Sequence, residues 1–139
     1  MIKQITDEII FLEICDKLKK VKDCKLSANT LYAYMLSGLY KQDTFTYVSY
    51  DDEKMNGCLV LKRFIDNEGN LSFIMLFVWV NAHYPKLLEE FVNIGNEKAK
   101  ELNAKKIYFI ANRNEKAIER RTGKFGFKKA FSTYIKEVV

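Results

Sequence analysis

The segment LSFIMLFVWV, residues 71–80, is an almost unbroken apolar run that is rich in β-branched and aromatic side chains. Such a run predicts a strand that is covered on both faces. A second apolar run, KIYFIA at residues 106–111, predicts another buried strand. The segment between them carries apolar residues at helical spacing, namely Leu88, Phe91, Val92, Gly95, Ala99 and Leu102. A strand, a helix and a strand in this order predict a parallel βαβ unit.

Within this unit, the strand and helix residues are expected to share one core. Leu76, Val78 and Val80 alternate along the first strand, so a regular strand places them on one face. Gly95 is expected to lie where the helix closely approaches the sheet. Pro85, the only proline, suits the first turn of the helix, where a missing N–H costs nothing.

Two further helices are predicted in the first forty residues. Thr6 is expected to cap a helix that runs to about Val21. Ser27 or Asn29 is expected to cap a second helix that reaches about Tyr40. Each helix carries an apolar stripe, which predicts that one face packs on a sheet.

The remaining apolar segments have the period of strands. Three of them precede the run at 71–80, and they lie at residues 1–5, 44–50 and 57–65. Polar turns at 51–54 and 66–70 separate the later strands and predict an antiparallel meander. The predicted fold is a mixed α/β sandwich with helices on both faces of a mostly antiparallel sheet. Residues 1–139 are expected to form a single domain.

Composition predicts a soluble, cytoplasmic protein. Hydrophobic residues make up 48% of the 139 residues, which is typical of a folded chain. The longest apolar run is too short to cross a membrane, so no membrane association is expected. The three cysteines, Cys15, Cys24 and Cys58, are widely spaced and are expected to be reduced. No metal site is expected, because only one histidine accompanies them.

The positive charge is concentrated near the C-terminus. Residues 1–111 carry 15 Lys and Arg against 15 Asp and Glu, whereas residues 112–139 carry 8 against 3. Such a region attracts a polyphosphate ligand or nucleic acid. An ordinary solvated surface is the alternative interpretation.

Two short motifs follow the second buried strand. Asn112-Arg-Asn114-Glu-Lys-Ala117 begins a predicted helix, and Lys124-Phe-Gly126-Phe127 leads into a predicted final strand. An Asn-x-x-Ala helix and a Gly-Phe turn after a βαβ unit resemble the GNAT superfamily of acyl-CoA N-acyltransferases. The resemblance covers residues 71–139, and the earlier elements are compatible with it. It implies that the two parallel strands splay apart and that acyl-CoA lies in the notch between them.

The resemblance implies transfer of an acetyl or other acyl group from acyl-CoA to an amine of a small molecule or a protein. Acetyl-CoA is the implied cofactor. Backbone amides at a helix N-terminus hold pyrophosphate well, and one N–H can face a developing oxyanion. Carried over to this chain, the implied cofactor-binding residues are Phe77, Val78, Trp79, Val80, His83, Tyr84, Lys86, Leu87, Leu88, Asn114 and Arg121.

The pyrophosphate turn departs from the family pattern Gln/Arg-x-x-Gly-x-Gly/Ala, which falls on residues 83–88. Lys86 and Leu88 stand at the two glycine positions, so side chains occupy space that phosphate oxygens approach in the family. Lys86 is expected to compensate in part through its charge. The usual tyrosine acid is absent from residues 119–122. His83 is the candidate catalytic residue, because imidazole titrates near neutral pH, and an idle turn histidine is the alternative.

Two other functions remain open. The chain is alternatively a catalytically inactive GNAT-like module for binding or assembly. Compact members without the glycines resemble acetyltransferase-like proteins of tailed phages, which suggests a phage or mobile-element origin and, for a phage protein, a virion-associated location. The third function is nucleic-acid binding, because Lys124–Phe127 resembles part of an RNP motif. Nucleic acid is not the expected partner, since the other aromatic residues of that motif are absent.

Overall fold

The computed structural model describes residues 1–21, 24–109, 115–130 and 136–138. The elements are β1 (Ile2–Ile5), α1 (Glu8–Lys19), α2 (Ala28–Lys41), β2 (Thr44–Asp51), β3 (Lys54–Ile65), β4 (Leu71–Val80), α3 (Leu87–Glu101), β5 (Ile107–Phe109), α4 (Glu115–Thr122) and a 3₁₀ helix (Gly123–Phe125). Much of the predicted final strand falls outside these ranges, and Asn114 does so as well.

The described strands form one sheet in the order β1-β2-β3-β4-β5. Strands β1 to β4 pair antiparallel, whereas β4 and β5 pair parallel through Phe73 with Ile107, Ile74 with Tyr108 and Met75 with Phe109. Helix α3 makes the connection between the parallel strands. The predicted mixed sheet with one parallel pair is therefore confirmed.

Helices cover both faces of the sheet, as the apolar patterns predict. One cluster joins Phe11 and Ile14 of α1 and Leu31 and Met35 of α2 to the sheet. The opposite cluster joins Leu87, Phe91, Val92 and Ala99 of α3 to the other face. Strands β3 and β4 contribute to both clusters, which explains why their sequences are almost continuously apolar.

A β-bulge interrupts the alternation of β4. Val60 pairs with Phe77 and Leu61 pairs with Met75, so Leu76 is the extra residue. Leu76 and Phe77 consequently pack on the α1 and α2 side, while Val78 returns to the α3 side. The prediction that Leu76 shares a core with Val78 is wrong for this reason.

Several element ends also differ from the predictions. Asp7, not Thr6, caps α1, because its carboxylate accepts the Ile9 N–H at 2.8 Å. Ser27 caps α2 through the Thr30 N–H at 3.0 Å, as one of the two alternatives proposed. Helix α3 begins at Leu87, so Pro85 lies in the turn before the helix and not in its first turn.

The helices in the described ranges do not combine the length and apolar character that crossing a bilayer requires.

Candidate functional site

The candidate site lies where β4 ends and the chain turns into α3. The described β4–β5 ladder ends at Met75 and Phe109, while β4 continues to Val80. The bulge at Leu76 falls directly after the last of these pairs. The other side of the predicted notch begins after Phe109, outside the described ranges, so the splaying of the strands stays a prediction.

The turn at 81–86 is held by hydrogen bonds to strand β3, to the Asn81 side chain and within its own backbone. The Asn81 N–H donates to the Asn56 carbonyl of β3 at 2.9 Å, which ties the turn to the sheet. The Asn81 side-chain oxygen accepts the His83 N–H at 3.0 Å, and its carbonyl accepts the Tyr84 N–H at 2.9 Å. The Leu87 N–H then donates to the Tyr84 carbonyl at 3.1 Å. These bonds fix the path of the chain into the helix.

The first turn of α3 presents unbonded amides. Lys86 is the N-cap residue and makes no side-chain capping bond. The backbone amides of Lys86, Leu88 and Glu89 have no hydrogen-bond acceptor among the described residues. Such amides, at the positive end of a helix dipole, suit an anion such as phosphate. Glu89 and its neighbour Glu90 oppose an anion there, because both carry negative charge in the first turn.

Because Gly57 of β3 has no side chain, the first turns of α3 pack directly against the sheet at this position. A Cβ at Gly57 would lie 2.5 Å from Leu87 Cδ2, 2.8 Å from Phe91 Cε2 and 3.2 Å from the Trp79 carbonyl oxygen. Leu87 is buried at this contact, whereas Leu88 is half-buried at the edge of the same cluster. The close helix-to-sheet approach is therefore at Gly57 and not at Gly95, where an added Cβ would have ordinary contacts of 3.9 to 4.0 Å.

The implied β4 residues have mostly buried side chains. Phe77 is 5% exposed and Val78 is 6% exposed, on opposite faces of the sheet. Val80 is half-buried on the α3 side. Trp79 is half-buried on the α1 side, with Lys17 Nζ 4.8 Å from its ring centroid. A ligand along this strand would thus meet mainly its backbone.

Two of the residues implied by the resemblance, His83 and Lys86, lie in the same turn, whereas Arg121 lies on α4. His83 and Lys86 are exposed in the turn. Arg121 is exposed in the last turn of α4, next to the exposed Arg120 and near the exposed Lys124. Asn114 lies outside the described ranges, so its predicted role is not placed.

An acidic cleft adjoins the turn, and sequence analysis did not predict it. It has a volume of about 610 Å³ and is lined by Asp51, Asp52, Glu53, Lys54, Met55, Asn56, Asn81 and Tyr84. The Tyr84 hydroxyl donates to Asp51 Oδ2 across the cleft. This hydrogen bond to Asp51 raises the pKa of Tyr84, and the Asn56 amide opposes the shift only in part. The sequence predicts Asp51-Asp52-Glu53 as part of a turn, but it does not predict the contact of this turn with Tyr84.

The described residues do not gather three or more His, Cys, Asp or Glu side chains in an arrangement that holds a metal ion. The α3 amides and Lys86 do fit a phosphate-bearing cofactor, because they supply donors and positive charge at one place. The acidic cleft on the neighbouring side of the turn suits a cation instead.

Neither a family model nor a curated protein matches the sequence. Solved structures do match. An aminoglycoside 6'-N-acetyltransferase from Acinetobacter haemolyticus has a TM-score of 0.79 at 12% identity, over 100% of this chain and 99% of that chain. A predicted acetyltransferase from Clostridium acetobutylicum, solved with acetyl-CoA, has a TM-score of 0.75 at 12% identity, over 99% and 96%.

A ribosomal-protein-alanine N-acetyltransferase from Brucella melitensis biovar Abortus 2308 has a TM-score of 0.72 at 12% identity, over 99% of both chains. Likenesses at such identities show the fold alone. The fold of this chain is the GNAT fold.

Proposed function

We propose that this chain is an acyl-CoA-dependent N-acyltransferase that transfers an acetyl or other acyl group to an amine, with a pyrophosphate turn that has lost its glycines. The observation that carries the proposal is the order of three structural features at the end of β4. A parallel pair, a bulge at Leu76 and the unbonded amides of α3 follow one another within one βαβ unit. The comparison structures that share the fold include several acetyltransferases.

The roles of the residues follow from their positions. The amides of Lys86, Leu88 and Glu89 would hold the pyrophosphate, and the Lys86 ammonium would add attraction. The backbone of 77–80 would line the pantetheine arm. The cofactor, when bound, supplies an activated thioester. His83, exposed in the same turn, is the candidate acceptor for the proton that an attacking amine must lose.

The proposal is tested first by calorimetric titration with acetyl-CoA and CoA. A free ligand concentration of about 100 times the dissociation constant should raise the free energy of unfolding by about 2.7 kcal/mol. Thiol release, followed in the presence of small amines and of N-terminal peptides, then reports transfer. Binding without thiol release in the presence of any of these amines would contradict acyl transfer, and absence of binding would favour the inactive module.

Leu88→Gly distinguishes a CoA site that is hindered by the Leu88 side chain from a chain that has lost CoA binding. The substitution restores a glycine of the family pattern and removes a half-buried side chain. A functional but crowded site should bind CoA more tightly, although the helix loses about 1 kcal/mol or more of stability. If neither the native chain nor Leu88→Gly binds CoA at about 1 mM, a dissociation constant in the millimolar range is excluded and the acyltransferase proposal fails.

The inactive module is the second candidate, and one observation favours it. Glu89 and Glu90 place two negative charges beside the amides that a pyrophosphate needs. Negative charges in the first turn of the helix weaken the binding of an anion there. A role in binding or in virion assembly would need no phosphate at this turn, and the chain would then gain no stability from CoA.

A further inference from the structure

Two charged side chains of α1 contact the sheet and do not pair with each other. Glu13 and Lys17 are four residues apart, with the glutamate nearer the helix N-terminus, which is the favoured order for an ion pair. Among the described residues, however, neither side chain forms an ion pair. The Glu13 carboxylate instead accepts the hydroxyl of Tyr50, on β2, at 2.9 Å. The Lys17 Nζ lies 4.8 Å from the ring centroid of Trp79, on β4.

These two contacts lie side by side on the same face of the sheet. Cys58 of β3 pairs with Trp79, and both pack with Tyr50 in the cluster under α1 and α2. Burial is the main reason that the pKa of Cys58 rises to about 12, but the charge of Lys17 lowers this pKa and that of Glu13 raises it. Both charges are therefore close to the same buried thiol. We call the surface formed by Glu13, Lys17, Tyr50 and Trp79 the α1 patch.

The α1 patch already holds one ammonium group on an aromatic ring, that of Lys17. The face of a tryptophan attracts cations more strongly than that of tyrosine or phenylalanine. Glu13 adds a carboxylate whose Oε1 has no donor within the described ranges. All four side chains of the patch are half-buried, so they are partly accessible to solvent. A carboxylate beside an aromatic face recognises an ammonium group, which pairs with the one and lies against the other.

We infer that the α1 patch binds the ammonium group of an organic amine, that Glu13 selects for its positive charge, and that Lys17 occupies the Trp79 ring when no amine is bound. A bound amine places its ammonium between Glu13 and Trp79 and displaces the Lys17 side chain. The inference rests on the proposed function only where it identifies this amine with the acyl acceptor, because Trp79 belongs to the segment 77–80 that would line the pantetheine arm. Binding of the amine itself does not require CoA.

Trp79 is the only tryptophan of the chain, so tryptophan fluorescence reports directly on the α1 patch. The test is a fluorescence titration of the native protein with propylamine hydrochloride, at neutral pH, at constant ionic strength and without CoA. Propanol is the neutral compound of matched size.

Two variants separate the roles of the two charges. Glu13→Gln removes the negative charge but keeps an acceptor for the Tyr50 hydroxyl. Lys17→Met removes the competing ammonium group but keeps an unbranched side chain. The matched controls are Glu97→Gln and Lys20→Met, which make the same changes at exposed positions.

We expect a saturable fluorescence change with propylamine, with a dissociation constant in the millimolar range, and none with propanol. Glu13→Gln should weaken binding by about threefold to tenfold, as for one partly screened charge pair. Lys17→Met should strengthen binding by about threefold or more, because the free protein no longer holds its own ammonium group on the ring. The two control variants should bind like the native protein.

Absence of saturation up to about 50 mM propylamine would overturn the inference, and so would an equal response to propanol. An effect of Glu13→Gln no larger than that of Glu97→Gln would overturn it as well. Binding to Lys17→Met no tighter than to Lys20→Met would do the same. Because the titration contains no CoA, failure of this inference is distinguishable from failure of the chain to bind CoA.

Discussion

Asp66 is a buried carboxylate that holds three elements together in the turn between β3 and β4. Its Oδ1 accepts the amides of Glu68 and Asn70, each at 3.0 Å. Its Oδ2 accepts the hydroxyls of Ser72 at 3.0 Å and Tyr108 at 3.2 Å. These donors, the Asn70 amide most of all, lower the pKa of Asp66.

Asp66→Asn is expected to destabilise the fold and to make its stability depend less on pH in the acidic range. Because the folded pKa is lowered, the contribution of Asp66 is complete above the unfolded value near 3.9 and is lost as pH falls through the folded value. Thermal melts between about pH 7 and pH 2 measure both effects. Asp16→Asn is the control, since its ion pair with Lys19 is exposed. Identical melting profiles for the two variants would contradict this assignment.

Two glycines of the α3 contact should respond to alanine in opposite directions. Gly57→Ala introduces a Cβ within 2.5 Å of Leu87 Cδ2, so we expect a loss of about 1–3 kcal/mol in the free energy of unfolding. Gly95→Ala meets nothing closer than Ile107 Cδ1 at 3.9 Å, so we expect a gain of about 0.5–1 kcal/mol from helix propensity. Urea denaturation of both variants measures the two changes. Destabilisation by Gly95→Ala would show that α3 packs more tightly than described.

The cysteines should differ in reactivity according to burial. Burial raises the pKa of the Cys58 thiol to about 12 and also raises that of Cys15, whose thiol donates to the Ala28 carbonyl. Cys24 is half-buried. Iodoacetamide should therefore modify Cys24 at least about ten times faster than the other two in the native protein, and all three after unfolding. Mass spectrometry of timed samples measures this order, and rapid native labelling of Cys58 would contradict its burial.

At the scale of elements, we expect the start of α3 to determine whether CoA binds. Lys86→Ala is expected to weaken CoA binding several-fold at low salt and less at high salt, because an exposed charge acts through a screened field. Lys3→Ala, an exposed cation on β1, is the matched control. Calorimetry at two salt concentrations measures the difference. An effect of Arg121→Ala as large as that of Lys86→Ala would assign the phosphates to α4 instead.

The elements were largely predictable from the sequence, whereas their junctions were not. The apolar period identified β4, α3 and both helices of the N-terminal half, because each must bury a stripe or a face. The bulge at Leu76 was not predictable, since it shows only in the pairing of β4 with β3. The Tyr84–Asp51 contact was missed for a similar reason, as it joins positions 33 residues apart.

At the scale of the whole molecule, one sheet separates two hydrophobic clusters, and the candidate sites lie at one end of its central strands. The α1 and α2 cluster and the α3 cluster both rest on β3 and β4. The end of β4 therefore borders the α3 amides and the acidic cleft at once.

The most direct test of the central claim is an amide NMR titration of the native protein with CoA. The account predicts that the largest shifts occur at Lys86, Leu88 and Glu89, with smaller shifts along 77–80, because these backbone groups would contact the cofactor. Spectra that do not change up to about 1 mM CoA, or shifts confined to residues remote from the β4–α3 turn, would contradict it.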